Sequence, residues 1–413
     1  MTDHCENNDA LRVRDKAGAD SDGSPGRGTL SVWSGEMETM FEHATQTPIV
    51  QSVSYAYENM DEWAAVATGE KSGHIYGRNS NPTTRVLEEK IRVLENAEAA
   101  TSFASGMAAI SNTLFTLLSP GSRVVSQKET YGGTSRLFLE FLPRFGVDIE
   151  LCDTTDFAHF ERAVSAGCDV LYLETPTNPT LKVLDLVPLC ELAHNAGAVV
   201  IVDNTFATPI NQNPLALGAD LVVHSATKFL GGHSDALGGL LAGRTDLVER
   251  VFAYREINGA TLGPMSAFLL IRGMKTLELR IERQNQTALA VSRFLHGHPG
   301  ITEVHYPGLA SHPGHEIAIR QMRGFGGVLS FTLAGDPSRL SRFLESLEWV
   351  HLAAHLGGVE TIAGPPRTTS HVELTTVERS ALGISENLIR YSVGIENSED
   401  LISDLSAALD ATA

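Results

Sequence analysis

From Asn81 onward, short apolar runs alternate with stretches whose apolar residues recur every three or four positions. Asn81-Pro82-Thr83 opens one such stretch with a cap and an early proline, and Val86, Leu87, Ile91 and Leu94 follow at helical spacing. A helix over Pro82–Ala99 is predicted. The apolar runs Arg123–Ser126, Asp148–Leu151, Val170–Leu173, Val199–Val202 and Leu221–Val223 read as strands. Continuous β-branched runs separated by helical segments indicate a mostly parallel sheet covered on both faces, an α/β fold. After about Leu262 the rhythm changes. A long helical segment, Pro264 to about His296 with Gly273 inside it, precedes a strand at Gly327–Leu333 and a helix at Pro337–Ser346. A strand–helix pair from Ile389 to Ala411 closes the chain. This predicts a large domain over 71–275 and a smaller α+β C-terminal domain over 276–413. Residues 1–28 are polar without a period and are expected to be a disordered tail. Residues 29–70, with scattered apolar positions, form an arm.

Composition narrows the classes. Of 413 residues, 42% are hydrophobic and 20% charged, as in ordinary globular proteins of two or more domains. The formal net charge of −19, with no basic stripe, argues against a nucleic-acid partner. Cys5, Cys152, Cys168 and Cys190 form no CxxC pair and no Cys/His cluster at zinc spacing. Reduced thiols in a cytoplasmic protein, and no metal, are expected. No apolar run approaches the ~18–20 residues of a membrane span, and the N-terminus lacks a signal-peptide pattern.

In open α/β sheets, ligands bind beyond the carboxyl ends of the strands. Ser225-Ala226-Thr227-Lys228 follows the run Leu221–Val223. A lysine there is costly to desolvate, and desolvation lowers its pKa, as a Schiff-base amine requires. Ser225 and Thr227 are hydroxyl donors suited to a phosphate; taken alone, the lysine is equally a surface residue. Asp203 ends the run before it, and an acid at a neighbouring strand tip can keep a pyridine nitrogen protonated. The same stretch also reads as an Asx turn. Ser105-Gly106-Met107 starts a helix over Met107–Leu118, where backbone N–H groups bind phosphate. Tyr131, before Gly132-Gly133, offers a ring to stack on a planar cofactor or simply a packed loop residue. In Glu174-Thr175-Pro176-Thr177-Asn178-Pro179, Asn178 offers an amide to a cofactor's phenolate oxygen, or the loop is a structural turn.

These pieces, with Tyr76-Gly77-Arg78-Asn79-Ser80-Asn81-Pro82-Thr83, Val202 to Phe206 and Leu388-Ile389-Arg390-Tyr391-Ser392-Val393-Gly394, resemble the cystathionine γ-synthase/γ-lyase family. The resemblance runs from about Thr29 to the C-terminus. It implies a pyridoxal-5′-phosphate enzyme of fold type I, aspartate aminotransferase-like. Lys228 would bear the cofactor and shuttle protons, Asp203 would pair with the pyridine nitrogen, and Tyr131 would stack and assist proton transfer. Gly106, Met107, Ser225 and Thr227 would cradle the phosphate. Tyr76 and Arg78 would reach the phosphate of a neighbouring subunit, which the 29–70 arm would also contact, in a homotetramer built from dimers with shared sites. Arg390 would clamp the substrate α-carboxylate as a bidentate pair.

The activity this implies is γ-replacement on an O-activated homoserine with a thiol such as cysteine, in methionine and cysteine metabolism. Elimination to a 2-oxo acid and ammonia is the alternative, and aminotransfer a more distant one. Methionine γ-lyases typically carry a cysteine where this chain has Gly133. Arg136 is either a contact for a distal substrate carboxylate or a helix-surface residue. The family usually has serine, which positions the lysine and the substrate carboxylate, where this chain has His355; the histidine either replaces that hydrogen bond or admits a different substrate. Arg367 either adds a guanidinium to the pocket, favouring an acidic substrate, or points to solvent.

Overall fold

Seven strands build the larger sheet: β1 (Ala99–Phe103), β2 (Arg123–Gln127), β3 (Asp148–Cys152), β4 (Val170–Glu174), β5 (Val199–Asp203), β6 (Leu221–Ser225) and β7 (Gly239–Gly243). The structure is a computed structural model of the chain and describes residues 25–36, 43–372 and 374–412. The spatial order is β1-β7-β6-β5-β4-β2-β3. Strands β2 to β6 are mutually parallel, as the buried runs predicted, and β7 lies antiparallel between β1 and β6. All five residues of β4 are buried, as expected for a strand covered on both faces. A second sheet contains β8 (Ile301–His305), β9 (Val328–Leu333), β10 (His351–Leu352), β11 (Ile362–Gly364) and β12 (Leu388–Ser392), in the order β10-β11-β12-β9-β8. Helices Arg339–Glu345 and Ser398–Ala411 pack on one another beside it. No described helix is long and apolar enough to cross a membrane.

Several predicted elements differ in extent, each for a local reason. The helix from Pro82 stops at Leu94, because Asn96 takes a left-handed φ of 57° and the chain turns into β1. The long helix Pro264–His296 is two helices, Pro264–Met274 and Leu277–His296. In the last turn of the first, Gly273 lies against the backbone of Gly231, where an added Cβ would be 2.0 Å from a carbonyl oxygen. Arg280, 3% exposed, donates to the Gly273 carbonyl at 2.9 Å and to the Phe229 and Leu230 carbonyls at 2.8 and 3.3 Å. It thereby closes the interrupted helix and fixes the loop after Lys228. The helix Arg27–Trp33 begins inside the stretch expected to be a tail; the rest of that tail to Ser24, with Cys5, lies outside the described residues. The arm holds a second helix, Met60–Ala67, capped by the Asn59 side chain on the Glu62 N–H at 2.8 Å.

Candidate active site

The parallel strands β2, β4, β5 and β6 end on the same edge of the sheet. Their tips and the loops beyond bring together Tyr131, Glu174, Asn178, Asp203, Ser225, Thr227 and Lys228. With Ser105, Gly106 and Met107 from the adjoining helix start, and Arg390 from β12 of the second sheet, they line one cavity of about 230 Å³. Nine candidate site residues of the sequence thus meet in one place, and His355 joins them through Lys228.

One end of the cavity gathers N–H and hydroxyl groups of the kind that suit an anion. The helix Gly106–Leu117 is capped by Ser105, whose Oγ accepts the Ala108 N–H at 3.1 Å, leaving the first-turn N–H groups of Gly106 and Met107 without an intrahelical acceptor. Gly106 packs on Ser225: a Cβ there would lie 2.7 Å from the serine Cβ and 2.9 Å from its Oγ. Thr227 Oγ1 accepts the Gly238 N–H at 3.1 Å, which fixes its hydroxyl at this end. Gly106→Ala is expected to lower affinity for pyridoxal phosphate at least about tenfold by crowding this corner, measured by titrating the apoprotein; unchanged affinity would place the phosphate elsewhere.

Two buried acids and a buried tyrosine stand behind the opposite end. Asp203 and Glu174 are paired across β5 and β4, and Tyr172 Oη donates to Asp203 Oδ2 at 3.3 Å. Burial raises the pKa of both carboxyls, with Asp203 adding to the rise at Glu174. Thr205 opposes the rise at Asp203, its N–H donating to Oδ1 at 3.0 Å. Asp203 therefore does form the Asx turn, and its carboxyl faces the cavity as well. A cationic ring nitrogen is the partner that such a buried carboxylate requires. Glu174 Oε2 accepts the Tyr131 N–H at 2.8 Å, fixing the backbone beneath the tyrosine ring. Glu174 carries the same signal as Asp203, an acid ending an apolar run, but was not singled out as a site residue.

Lys228 and Arg390 supply the positive charge. Burial, then the nearby Arg390 guanidinium, lowers the lysine to about 8. Arg390 is 5% exposed; its Nη1 donates to Asn178 Oδ1 at 3.3 Å and its Nη2 to the His355 carbonyl at 3.0 Å. Pyridoxal phosphate fits this set: an amine for its aldehyde, a carboxylate for its ring nitrogen and a glycine-lined cradle for its phosphate.

Other expected contacts lie elsewhere. Arg136 is not in the cavity wall; its Nε and Nη2 both donate to Glu140 at 3.0 Å, one helical turn on, and it borders a separate cleft. Arg367 Nη1 donates to Glu386 at 3.2 Å and likewise lies outside the wall. Tyr76 and Arg78 sit outside it too, with the guanidinium 5.4 Å from the Tyr76 ring centroid and that ring 42% exposed.

Comparison with known proteins agrees with this chemistry. Residues 28–410 match the family described as Cys/Met metabolism PLP-dependent enzyme. An L-methionine gamma-lyase of Fusobacterium nucleatum subsp. polymorphum is 44% identical over 388 residues, 93% of this chain and 98% of that one. The chloroplastic cystathionine gamma-synthase 1 of Arabidopsis thaliana is 42% identical over 93% of this chain and 69% of its own. The crystal structure of cystathionine gamma synthase from Xanthomonas oryzae pv. oryzae, in complex with aminoacrylate and cysteine, superposes with a TM-score of 0.89 at 36% identity. It covers 94% of this chain and 98% of that one. The chain is a member of the Cys/Met metabolism PLP-dependent enzymes, with the type I fold of that family and the transferase or lyase chemistry of transsulfuration.

Proposed function

We propose that the enzyme catalyses γ-replacement on an O-activated homoserine, with a thiol such as cysteine as acceptor. The observation that carries the reading away from a methionine γ-lyase is Gly133. The position that bears a cysteine in methionine γ-lyases is filled here by packing: a Cβ would lie 2.8 Å from the Tyr131 ring and 2.9 Å from Met107 Sδ.

On this reading Arg390 binds the substrate α-carboxylate, and Lys228 removes the α-proton and then moves protons between Cα and Cβ. Asp203 holds the cofactor's ring nitrogen protonated, Tyr131 covers the ring face, and Asn178 both orients Arg390 and borders the phenolate side. When bound, the cofactor supplies an aldehyde for covalent capture of the amine and a ring that accepts electrons. In the net reaction the Cγ–O bond breaks and a Cγ–S bond forms. The thiol proton leaves with the released carboxylic acid.

Elimination is the second reading, favoured by the apolar stretch of wall at Ile110, Leu237, Ala354 and Leu356, which suits a thioether tail. Incubation with O-acetylhomoserine, O-succinylhomoserine, cystathionine and methionine, each with and without cysteine, separates the two. A cystathionine product from an O-acylhomoserine is expected. Release of 2-oxobutanoate with no cystathionine in the presence of cysteine would overturn replacement. Because Arg136 and Arg367 are engaged by Glu140 and Glu386, alanine at either is expected to change kcat/KM less than about threefold, as for surface ion pairs.

The reading extends to assembly: a cytoplasmic homotetramer of dimers in which Tyr76 and Arg78 complete the phosphate site of a second copy. Support comes from the exposure of Tyr76, Trp33, Val53, Met60 and Trp63 along the arm, and from the buried, unpaired Cys152, Cys168 and Cys190. Arg78→Ala is expected to speed cofactor loss on dialysis about tenfold or more, through one charge-assisted contact. Retention equal to wild type would count against shared sites.

A further inference from the structure

A second cavity, of about 620 Å³, shares no lining residue with the first. It opens where loops of the larger sheet meet β8. Its walls come from the loop after β3 with the helix Phe157–Ser165, from the loop 175–185 after β4, and from β8 with the helix His315–Gln321. Phe157, Phe160, Leu189, Ile317 and Leu382 give it an apolar lining, and Phe157 is 45% exposed. Concave, mostly apolar spaces with a few placed polar groups are the usual form of a small-molecule site. Three polar atoms of the wall, His305 Nε2, Thr154 Oγ1 and Thr180 Oγ1, are buried without a hydrogen-bond partner among the described residues. Unsatisfied buried polar atoms are uncommon in native proteins and call for an explanation.

The charges select the head group. Lys182 is ion-paired with Glu129, and an ammonium has three donors, so it can hold Glu129 and a second carboxylate together. Asp185 is taken by Arg320 at 2.5 Å. Glu303 stands 3.4 Å from His305 Nε2 but is 61% exposed, so its carboxylate lies largely in solvent. Burial lowers the His305 pKa, opposed by Glu303 and helped by the Lys182 charge. The imidazole is then neutral near pH 7 and, with its proton on Nε2, a donor.

This wall is also the back of the active site. The loop 175–185 presents Asn178 to Arg390 on one side, and Thr180 and Lys182 to the second cavity on the other. The Thr177 N–H donates to the Lys182 carbonyl at 2.9 Å, and Thr177 Oγ1 accepts the Lys182 N–H at 3.1 Å, which ties the two sides together. Between them the buried Leu181 holds a left-handed φ of 55°, a strained conformation for a branched side chain. Glu129, the partner of Lys182, lies two residues before Tyr131.

We propose that the second cavity is an effector site for a small carboxylic acid with an aromatic or branched aliphatic body. Its carboxylate sits on Lys182 and His305 Nε2, and its body packs on Phe160, Leu189 and Ile317. A second carboxylate on Lys182 weakens the hold on Glu129 and loosens the loop, so that Asn178 orients Arg390 less firmly and substrate binds less tightly. The site serves replacement and elimination alike.

The probes are 3-phenylpropanoate, 4-methylpentanoate and indole-3-acetate, each titrated by calorimetry into the loaded enzyme. At least one is expected to bind with a Kd below about 1 mM, and its neutral carboxamide at least about tenfold more weakly. Ile317→Trp fills the cavity and should weaken binding at least about tenfold. The double variant Lys182→Met/Glu129→Gln removes both charges and should bind acid and amide alike. Arg390→Leu should keep the affinity, since the probe does not use the first cavity. In wild type the probe should raise KM at least about threefold, in a rise that levels off at saturation, whereas competition for the active site would not level off. Failure of all three probes to bind at about 10 mM overturns the proposal. So does binding lost in Arg390→Leu, or binding that leaves KM unchanged. If the tryptophan variant does not fold, the double variant decides, and an undiminished preference for acid over amide overturns the site.

Discussion

Lys228→Ala is expected to reduce turnover by about 10⁴-fold or more and to abolish the borohydride-reducible attachment of pyridoxal phosphate. The expectation rests on the surroundings of one amine. Lys228 follows β6 at the cavity floor, and burial and Arg390 bring it down to about 8, against about 10.4 for an exposed lysine. A depressed pKa means that the protonated form is destabilised. Below about pH 8 the amine is mostly ammonium and cannot attack an aldehyde; above it, the free amine dominates. The rate of cofactor capture by the apoprotein should accordingly rise as pH passes through about 8 and level off about one unit higher. Arg390→Leu removes the second cause of the depression, so the same midpoint should move up. Peptide mapping after reduction, on the wild type and on the alanine variant, checks the assignment. An adduct on another lysine, or a wild-type capture rate flat between about pH 7 and 9, would sink it.

The part of this site that lies on the sheet was legible because buried strands announce themselves. A run such as Val199–Val202 has no reason to end in an acid, and Leu221–Val223 none to lead to a lysine, unless the strand tip faces something that needs them. Glu174 obeys the same logic. The strands that escaped notice have physical reasons for doing so. β7 reads Gly-Leu-Leu-Ala-Gly, too short and too glycine-rich to stand out, and the glycine is required: a Cβ on Gly239 would lie 2.0 Å from the Ser105 carbonyl oxygen. β10 and β11 have two and three residues, and their pairing depends on β12, far along the chain. Side-chain engagement was the least legible. Nothing local in Tyr131 to Arg136 shows that the arginine is taken up by Glu140, and Arg367 finds Glu386 across a loop. The hydrogen bond between His355 and Lys228 joins residues far apart in sequence. Arg280, which anchors the loop after Lys228, resembles any helix arginine until the carbonyls of Phe229, Leu230 and Gly273 are seen together around it.

The second large effect is expected at Arg390. Its guanidinium is buried, and two of its N–H groups are already committed, to Asn178 and to the His355 carbonyl. These contacts hold the fork in one orientation before substrate arrives, so that little ordering is left when a carboxylate binds. Hydrogen bonds to charged groups contribute about 1.5–3 kcal/mol each, and a bidentate carboxylate pair makes two. Arg390→Ala should therefore lower kcat/KM by about 10²–10⁴-fold. Arg390→Lys should recover only part of this, because an ammonium keeps the charge and loses the fork. The alanine variant also strips donors from Asn178 and from the loop that carries His355. Comparing each substrate with its α-carboxamide removes the ambiguity. If Arg390 acts on the carboxylate, wild type should strongly prefer the acid, and the alanine variant should handle acid and amide almost alike. A variant that loses the same factor on both would show that Arg390 serves only to hold the second sheet against the cavity.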